Sequence, residues 1–178
     1  AEELRDDALG LGARAVISTA DSIQRLELDR LYSQYGIEIL LVEPRPSGPA
    51  GLFDISLMGD EQPGSRQHGP PKPNGLMNQA LVLHTSGTSG KKKVVPYTLR
   101  HLIVGACCVI QSWNLHSKQV DMNMMPLFHV GGIVRNLWAP VLSGGSTILC
   151  AGFDPNAWWT LTMQLGATWY YAAPTICL

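Results

Sequence analysis

The chain has 178 residues, a net charge of −1 and a hydrophobic fraction of 46%, a composition typical of a globular domain rather than of a disordered segment. Its longest apolar stretch, residues 102–110, is far shorter than the roughly 20 residues of a membrane-spanning helix, and the near-neutral charge excludes a strongly basic nucleic-acid-binding module. The sequence begins without an initiator methionine and ends just after a Pro-Thr pair typical of a helix start, so we expect it to be part of a longer protein.

The charge is distributed unevenly along the chain. Residues 1–61 carry 12 acidic and 5 basic side chains, whereas residues 62–178 carry 8 basic side chains and two acidic ones, Asp121 and Asp154. The excess of positive charge in the second part favours an anionic ligand there. A piece of a larger fold also need not balance its own charges, so the distribution alone leaves both explanations open.

The four cysteines have no spacing typical of a metal site or a redox motif. They are Cys107, Cys108, Cys150 and Cys177, and the first two are adjacent within the longest apolar stretch. We therefore expect buried free thiols in a reducing, intracellular compartment, with the cytoplasm as the first expectation and the peroxisome as the alternative.

The N-terminal part alternates helix and strand patterns. A helical periodicity over residues 4–11 is followed by a β-rich run at 13–18, a capping box at Asp21 that predicts one helix through Tyr35, and a buried strand at 37–42. A strand, a helix and a strand of this length predict a βαβ unit with parallel strands.

Residues 44–79 break this alternation. They contain seven of the 12 prolines and no sustained periodicity, although residues 51–58 predict one short strand. A connection of this length is unusual inside a compact domain, so it indicates a boundary between two parts of the chain or a surface excursion.

The alternation resumes in the second part of the chain. Strands are predicted at 80–84, 94–97, 120–125, 146–150 and 168–171, and helices at 98–113, at 130–142 with an interruption at Pro140, and from Pro155 after a capping Asp154.

A loop rich in hydroxyl groups, glycine and lysine directly follows the strand at 80–84. Its sequence is Thr85-Ser86-Gly87-Thr88-Ser89-Gly90-Lys91-Lys92-Lys93. The glycines let the backbone fold tightly, so N–H groups and hydroxyls can converge on phosphate oxygens while the lysines supply countercharge, which fits a nucleotide triphosphate. The loop is not a Walker A motif, because Thr85 replaces the first glycine and Lys92 replaces the metal-binding hydroxyl residue. Taken alone, these residues leave a solvated basic turn as the alternative.

A second informative segment lies at a predicted strand-to-helix junction. Its sequence is Met125-Pro126-Leu127-Phe128-His129-Val130-Gly131-Gly132. His129 can donate a hydrogen bond to a carboxylate, and the paired glycines let the backbone approach a ligand closely. The alternative is a core or capping histidine.

Together these segments resemble the adenylate-forming superfamily, which includes acyl-CoA synthetases, adenylation domains of peptide synthetases and luciferases. The loop is similar to the family's phosphate-binding signature, with Lys92 in place of the usual proline and Val94 in place of the usual glycine. The segment around His129 is similar to the one that lines the acyl pocket. Residues 142–146, 153–155 and 173–175 follow in the family's order, and the coumarate- and oxalate-CoA ligase branch is the most similar.

The resemblance implies a fold and a domain arrangement. The fold class is α/β, part of the large N-terminal domain of an adenylate-forming enzyme, with a mostly parallel sheet and flanking helices. Residues 1–43 would form a βαβ part of an N-terminal subdomain, 44–79 a connection rich in proline and glycine, and 80–178 the part that holds the ATP-phosphate loop and the acyl pocket. The C-terminal domain would be absent from this chain.

The resemblance also implies a reaction and a set of site residues. The reaction is the AMP-forming ligation of a small-molecule carboxylic acid to CoA: the carboxylate attacks the α-phosphate of MgATP, and a thiol then takes the acyl group. His129 would be the catalytic residue, and Phe128, His129, Val130 and Gly131 would bind the acid. ATP would be held by Thr85, Ser86, Gly87, Thr88, Ser89, Gly90, Lys91 and Lys93. No metal ligand is assigned in this chain, so Mg²⁺ would be held elsewhere, and neither a nucleic acid nor a membrane span is expected.

Several alternatives stay open at this point. The acceptor can be the phosphopantetheine of a carrier domain in the parent chain instead of CoA. The domain can be a degenerate, non-catalytic nucleotide-binding module, or an unrelated phosphate-binding α/β domain. After Glu61 the acidic residues are Asp121 and Asp154, and neither lies in the acidic motif that the family needs. We therefore predict that this piece is catalytically inactive alone.

Overall fold

A computed structural model describes residues 2–49, 51–59, 72–85 and 93–174. The chain divides into two compact units, Ala1–Pro71 and Lys72–Leu178. Within the described ranges, no helix combines the length and the apolar character needed to cross a membrane.

The first unit contains the predicted βαβ arrangement. Its elements are α1 (Glu2–Gly10), β1 (Ala15–Ser18), α2 (Ala20–Leu26), α3 (Asp29–Tyr35), β2 (Glu38–Pro44) and β3 (Phe53–Leu57). β1 pairs with β2 in parallel, which confirms the βαβ prediction, and β3 joins the other side of β2 in antiparallel orientation. β3 is the short strand predicted within residues 51–58. The core of the unit is formed by Ala8, Leu28, Leu31, Ile37 and Ile39.

The prediction of a single helix between the two parallel strands is wrong. The first of the two helices, α2, begins after Thr19 rather than at Asp21 and ends at Leu26, and the capping residue Glu27 has a left-handed φ of 52°. The turn allows Leu28, which is 1% exposed, to enter the core of the unit. Burial of a leucine side chain is worth about 1.5–3 kcal/mol, which offsets the roughly 1–2 kcal/mol cost of one left-handed residue, so packing can override the helical periodicity.

The second unit is also α/β. Its elements are β4 (Gln79–Thr85), β5 (Lys93–Thr98), α4 (Leu99–Trp113), β6 (Val120–Asn123), a π-helical segment (Gly131–Trp138), α5 (Ala139–Leu142), β7 (Ser146–Leu149), α6 (Pro155–Leu165) and β8 (Trp169–Tyr170). β4 and β5 form an antiparallel hairpin, and β6 lies between β7 and β8 in a parallel sheet. The α/β class is confirmed, although the described strands form three small, partly parallel sheets.

Two helices of this unit begin at caps that short-range sequence patterns encode. Before α4, the Thr98 hydroxyl accepts from the His101 N–H and the His101 imidazole accepts from the Thr98 N–H, both at 3.2 Å. Before α6, the Asp154 carboxylate accepts from the N–H groups of Asn156 and Ala157. Both caps satisfy backbone donors that a helix start leaves unpaired.

The inner face of α4 packs on the π-helical segment. Leu102 and Ala106 are buried together with Leu115, Val134 and Ala139. Cys107 and Cys108 are exposed, so the expectation of buried thiols is wrong for both. A turn of 100° per residue places them away from the face that carries Leu102 and Ala106. Cys150 is half-buried, and Cys177 lies outside the described residues.

The helix predicted at 130–142 is wider than an α-helix over most of its length. Gly131–Trp138 is π-helical, and the Ala139 N–H donates to the Val134 carbonyl five residues earlier. The predicted interruption at Pro140 does not occur, since α5 continues through it. Proline lacks the N–H that would bond to the Asn136 carbonyl in an α-helix, and the Thr147 hydroxyl lies 2.8 Å from that carbonyl oxygen instead.

Candidate functional site

The β4–β5 hairpin positions both ends of the predicted phosphate loop. Thr85 and Lys93 are paired residues at the end of this antiparallel ladder, so the side chains that flank the loop face each other across the two strands. Both residues are exposed. Lys93 forms no ion pair with any residue that the structure describes, and its charge is therefore available to an anion. The other predicted ATP-binding residues, Ser86, Gly87, Thr88, Ser89, Gly90 and Lys91, lie outside the described residues.

The segment around His129 leaves the sheet at the end of β6. The Asn123 side-chain oxygen accepts from the Met125 N–H at 2.9 Å, which turns the chain out of the strand. Met122, Met124 and Met125 are buried. The predicted strand 120–125 ends at Asn123, so Met124 and Met125 lie just after β6. The side chain of Phe128 is 81% exposed, and Val130 is exposed as well.

His129 is exposed and has a defined orientation. Its Nδ1 accepts a hydrogen bond from the Gly131 N–H at 3.1 Å. A neutral imidazole that accepts at Nδ1 carries its proton on Nε2, so Nε2 can donate. This geometry suits a hydrogen bond from His129 to a carboxylate oxygen.

Gly131 and Gly132 are sites of close approach. A Cβ on Gly132 would overlap the backbone of Pro126, whose carbonyl carbon would lie 2.8 Å away. A Cβ on Gly131 would lie 3.1 Å from Tyr171 Cε1 and 3.2 Å from His129 Nδ1. The Tyr171 and His129 rings are therefore neighbours on one side of Gly131, where a bulkier residue would separate them.

Arg135 and Tyr171 join this site and were missed by the sequence analysis. The half-buried Arg135 guanidinium donates to the Tyr171 hydroxyl, and its central carbon lies 4.6 Å from the centre of the Tyr171 ring. The Tyr171 ring also packs against Trp113, with ring centres 5.8 Å apart. Arg135 is the one charged residue in the apolar sequence 130–142, and that contrast could have identified it.

A small cavity lies beside Tyr171. It has a volume of about 230 Å³ and is lined mostly by aromatic side chains: Trp113, Leu115, Gln119, Trp169, Tyr170 and Tyr171. Pockets for drug-sized ligands usually measure roughly 300–1,000 Å³, so this cavity is small. None of the predicted acid-binding residues Phe128, His129, Val130 and Gly131 lines it.

Buried polar groups connect β6, β7 and the π-helical segment beneath the site. The Asn136 side-chain amide donates to the Tyr171 carbonyl at 3.0 Å and to the Asn123 side-chain oxygen at 3.4 Å. The Thr147 hydroxyl lies 3.1 Å from Asp121 Oδ2. Asp121 and Asn136 are fully buried, so these bonds fix the π-helical segment against the sheet.

Asp121 is the buried titratable group of this network. Burial raises the pKa of its carboxyl group to about 7, against a smaller opposite effect of the Thr147 hydroxyl. Because the Thr147 hydroxyl has one proton, it donates either to Asp121 or to the Asn136 carbonyl at any moment. A protonated Asp121 can donate to Thr147, which then donates to Asn136, so the neutral carboxyl group satisfies this chain of bonds best.

Comparison with known proteins adds independent evidence. A family model described as "AMP-binding enzyme" matches residues 4–178. The sulfoacetate–CoA ligase of Cupriavidus necator is 34% identical over 107 residues, which cover 60% of this chain and 20% of that protein. The oxalate–CoA ligase of Saccharomyces cerevisiae is 30% identical over 99 residues, covering 56% of this chain and 18% of that protein.

A solved structure shows the same fold. ATP-bound MatB from Rhodopseudomonas palustris matches with a TM-score of 0.75 at 19% identity, over 98% of this chain and 32% of that one. The chain thus spans about a fifth of the two ligases and about a third of MatB. Since the family model covers nearly every residue, the chain belongs to the AMP-binding enzyme family.

Proposed function

We propose that the protein containing this chain is an AMP-forming acid–CoA ligase, to which the chain contributes the phosphate-binding hairpin and part of the acid site. The observation that carries the proposal is the pairing of Thr85 with Lys93, which closes the loop of phosphate-binding composition between two strands. The membership in the AMP-binding enzyme family supports the proposal, as do the relatives named as CoA ligases.

The proposed role of the hairpin is to hold the β- and γ-phosphates of ATP and the departing pyrophosphate. Charge neutralisation and positioning dominate such group transfer, and hydroxyl groups with lysines supply both. Lys93 fits this role because its charge is exposed and forms no ion pair among the described residues. We propose that Ser86, Gly87, Thr88, Ser89, Gly90 and Lys91 share the role, on the strength of their sequence.

ATP in this reaction is the magnesium complex. Among the described residues, no three His, Cys, Asp or Glu side chains are grouped as a metal site would require. We propose that Mg²⁺ binds to the phosphates and to residues beyond this chain, where it neutralises charge.

The proposed acid site lies at the start of the π-helical segment. His129 Nε2 can donate to the reacting carboxylate, since Nδ1 is held by the Gly131 N–H. Phe128 and Val130 offer apolar surface. The Gly131 N–H holds His129, whereas the space beside Gly131 and Gly132 is occupied by Tyr171, His129 and the Pro126 backbone, so these glycines serve internal packing. In this arrangement His129 orients the carboxylate for attack on the α-phosphorus.

The experiment uses the full-length protein. Pyrophosphate release is measured with ATP, CoA and a panel of small carboxylic acids that includes sulfoacetate and oxalate, and the acyl-CoA product is identified by mass spectrometry. We expect acid-dependent pyrophosphate release that Lys93→Ala lowers and that Lys118→Ala, which removes another exposed lysine of the same unit, leaves unchanged.

Other results would support the alternatives. ATP binding without pyrophosphate release for any acid would overturn the ligase and favour a degenerate nucleotide-binding module, which the departures Lys92 and Val94 would explain. Acid-dependent pyrophosphate release without acyl-CoA would favour a phosphopantetheine carrier as the acceptor.

A further inference from the structure

Arg135 is a half-buried cation in an apolar segment. Among the described residues it forms no ion pair, and the sequence 130–142 around it contains no other charged side chain. Removing a guanidinium from water costs free energy unless its donors are satisfied. The Tyr171 hydroxyl satisfies one of its five N–H donors and the Tyr171 ring faces the cation, which leaves further donors for another acceptor.

The position of Arg135 relates it directly to the proposed acid site. In a π-helix, residues four and five positions apart lie above one another, so Arg135 is on the same side of the segment as Gly131. The Tyr171 ring contacts both, since it reaches to 3.1 Å from the Cβ position of Gly131 and lies beneath the Arg135 guanidinium. His129 and Arg135 are thus both adjacent to Tyr171.

This geometry has a chemical consequence for the substrate. If the reacting carboxylate binds at His129 and the acid extends along Tyr171, which both residues adjoin, its remote end meets the Arg135 guanidinium. A guanidinium presents paired N–H groups that match the oxygens of a carboxylate or a sulfonate, and such charge-assisted bonds are the strong ones. An uncharged alkyl end would leave those donors without a partner.

We propose that Arg135 is a specificity-determining residue that selects short acids with a second anionic group, a carboxylate or a sulfonate, remote from the reacting carboxylate. The inference rests on the proposed acid activation and adds the substrate class. Its alternative is a purely structural Arg135, which clamps Tyr171 and contacts no substrate.

The test compares acids in matched pairs with the full-length protein. Succinate is paired with butyrate and malonate with propionate, while sulfoacetate, also paired with propionate, supplies the sulfonate arm. The value of kcat/KM is measured for each acid with the unsubstituted protein, Arg135→Met, Arg135→Lys and the control Arg100→Met. Arg100 is an exposed arginine on α4 of the same unit.

We expect the unsubstituted protein to prefer the dianionic acid of each pair. Arg135→Met lowers that preference roughly 10- to 100-fold, mostly through the KM of the dianion, because one charge-assisted interaction is lost. Arg135→Lys keeps part of the preference, and Arg100→Met keeps all of it. Preference for succinate and malonate alone assigns the second group as a carboxylate, whereas preference for sulfoacetate alone assigns it as a sulfonate.

The outcomes separate this inference from the function it rests on. A preference is a ratio within one preparation, so a loss of folded protein in Arg135→Met cancels from it. Active ligase with no preference, or with the same preference in Arg135→Met, refutes the role of Arg135 and leaves the ligase standing. Absence of pyrophosphate release for every acid in the unsubstituted protein refutes both.

Discussion

Asp121 offers a sharp test of the buried network, because its carboxyl group is fully buried and its ionisation is linked to folding. The perturbation is Asp121→Asn, which keeps the shape of the side chain and removes the titration. An asparagine can still hydrogen-bond to Thr147, which lies 3.1 Å from Asp121 Oδ2. The variant therefore tests the charge of the group more than its packing.

The sign of the effect follows from the direction of the shift. Burial raises the pKa of Asp121 from 3.8 to about 7 in the folded state, so the folded state prefers the protonated acid. The stabilising contribution is complete below pH 3.8 and is lost as the pH rises through about 7. At about 1.36 kcal/mol per pKa unit, the total is on the order of 4 kcal/mol, of which about 2.5 kcal/mol falls between pH 5 and pH 8.

The assay is urea unfolding of the purified protein, followed by tryptophan fluorescence from pH 5 to pH 8. We expect the free energy of unfolding to fall over this range and Asp121→Asn to remove most of that fall. Asp154→Asn is the matched control, since it removes an exposed carboxylate of the same unit and keeps a capping side chain at the start of α6. The same pH dependence in Asp121→Asn and in the unsubstituted protein would refute a raised pKa of Asp121.

Three further predictions concern folding. Gly132→Ala places a methyl group against the Pro126 backbone and should cost on the order of 1–3 kcal/mol of folding stability. Gly105→Ala is the control, since its new methyl group would lie 3.5 Å from Val134, and it should be neutral or stabilising. Equal melting temperatures of these two variants in calorimetry would contradict the prediction. Asp154→Ala should lower the free energy of unfolding in urea by about 1 kcal/mol, and Asp154→Ser should recover most of that loss, because serine can also cap the helix. Equal stability of Asp154→Ala and Asp154→Ser would show that the cap does not contribute. Asn136→Ala removes a donor from the Tyr171 carbonyl, whereas Asn123 Oδ1 keeps the Met125 N–H, and should cost about 1–3 kcal/mol; an unchanged urea midpoint would show that the network is not stabilising.

Patterns that span a few residues predicted much of the fold. The caps at Thr98 and Asp154 depend on contacts two or three residues away, and the strands that flank the phosphate loop follow from adjacent apolar residues. The antiparallel pairing of Thr85 with Lys93 was not predicted, because the residues between them, 86–92, form a longer connection than the loops that identify a hairpin from sequence.

Contacts between distant residues escaped the sequence analysis. Arg135 meets Tyr171 across 36 positions and Asp121 meets Thr147 across 26, and no periodicity encodes either pair. The helix break at Glu27 was missed for a related reason, since it depends on the burial of Leu28 in a core assembled from other elements. The roles of the predicted ATP- and acid-binding residues stay predictions until they are tested by substitution.

The π-helical segment has a consequence for engineering this protein. An α-helix of the same composition forms better backbone hydrogen bonds, so deleting one residue within Gly131–Trp138 is a change that a stability-guided redesign would favour. A deletion before position 135 would rotate the residues after it by about 100° and turn Arg135 and Asn136 away from the ring and the carbonyl of Tyr171. A thermally improved variant of this kind would be selected for melting temperature and would lose both contacts with Tyr171, and with them the proposed recognition of a dianionic acid.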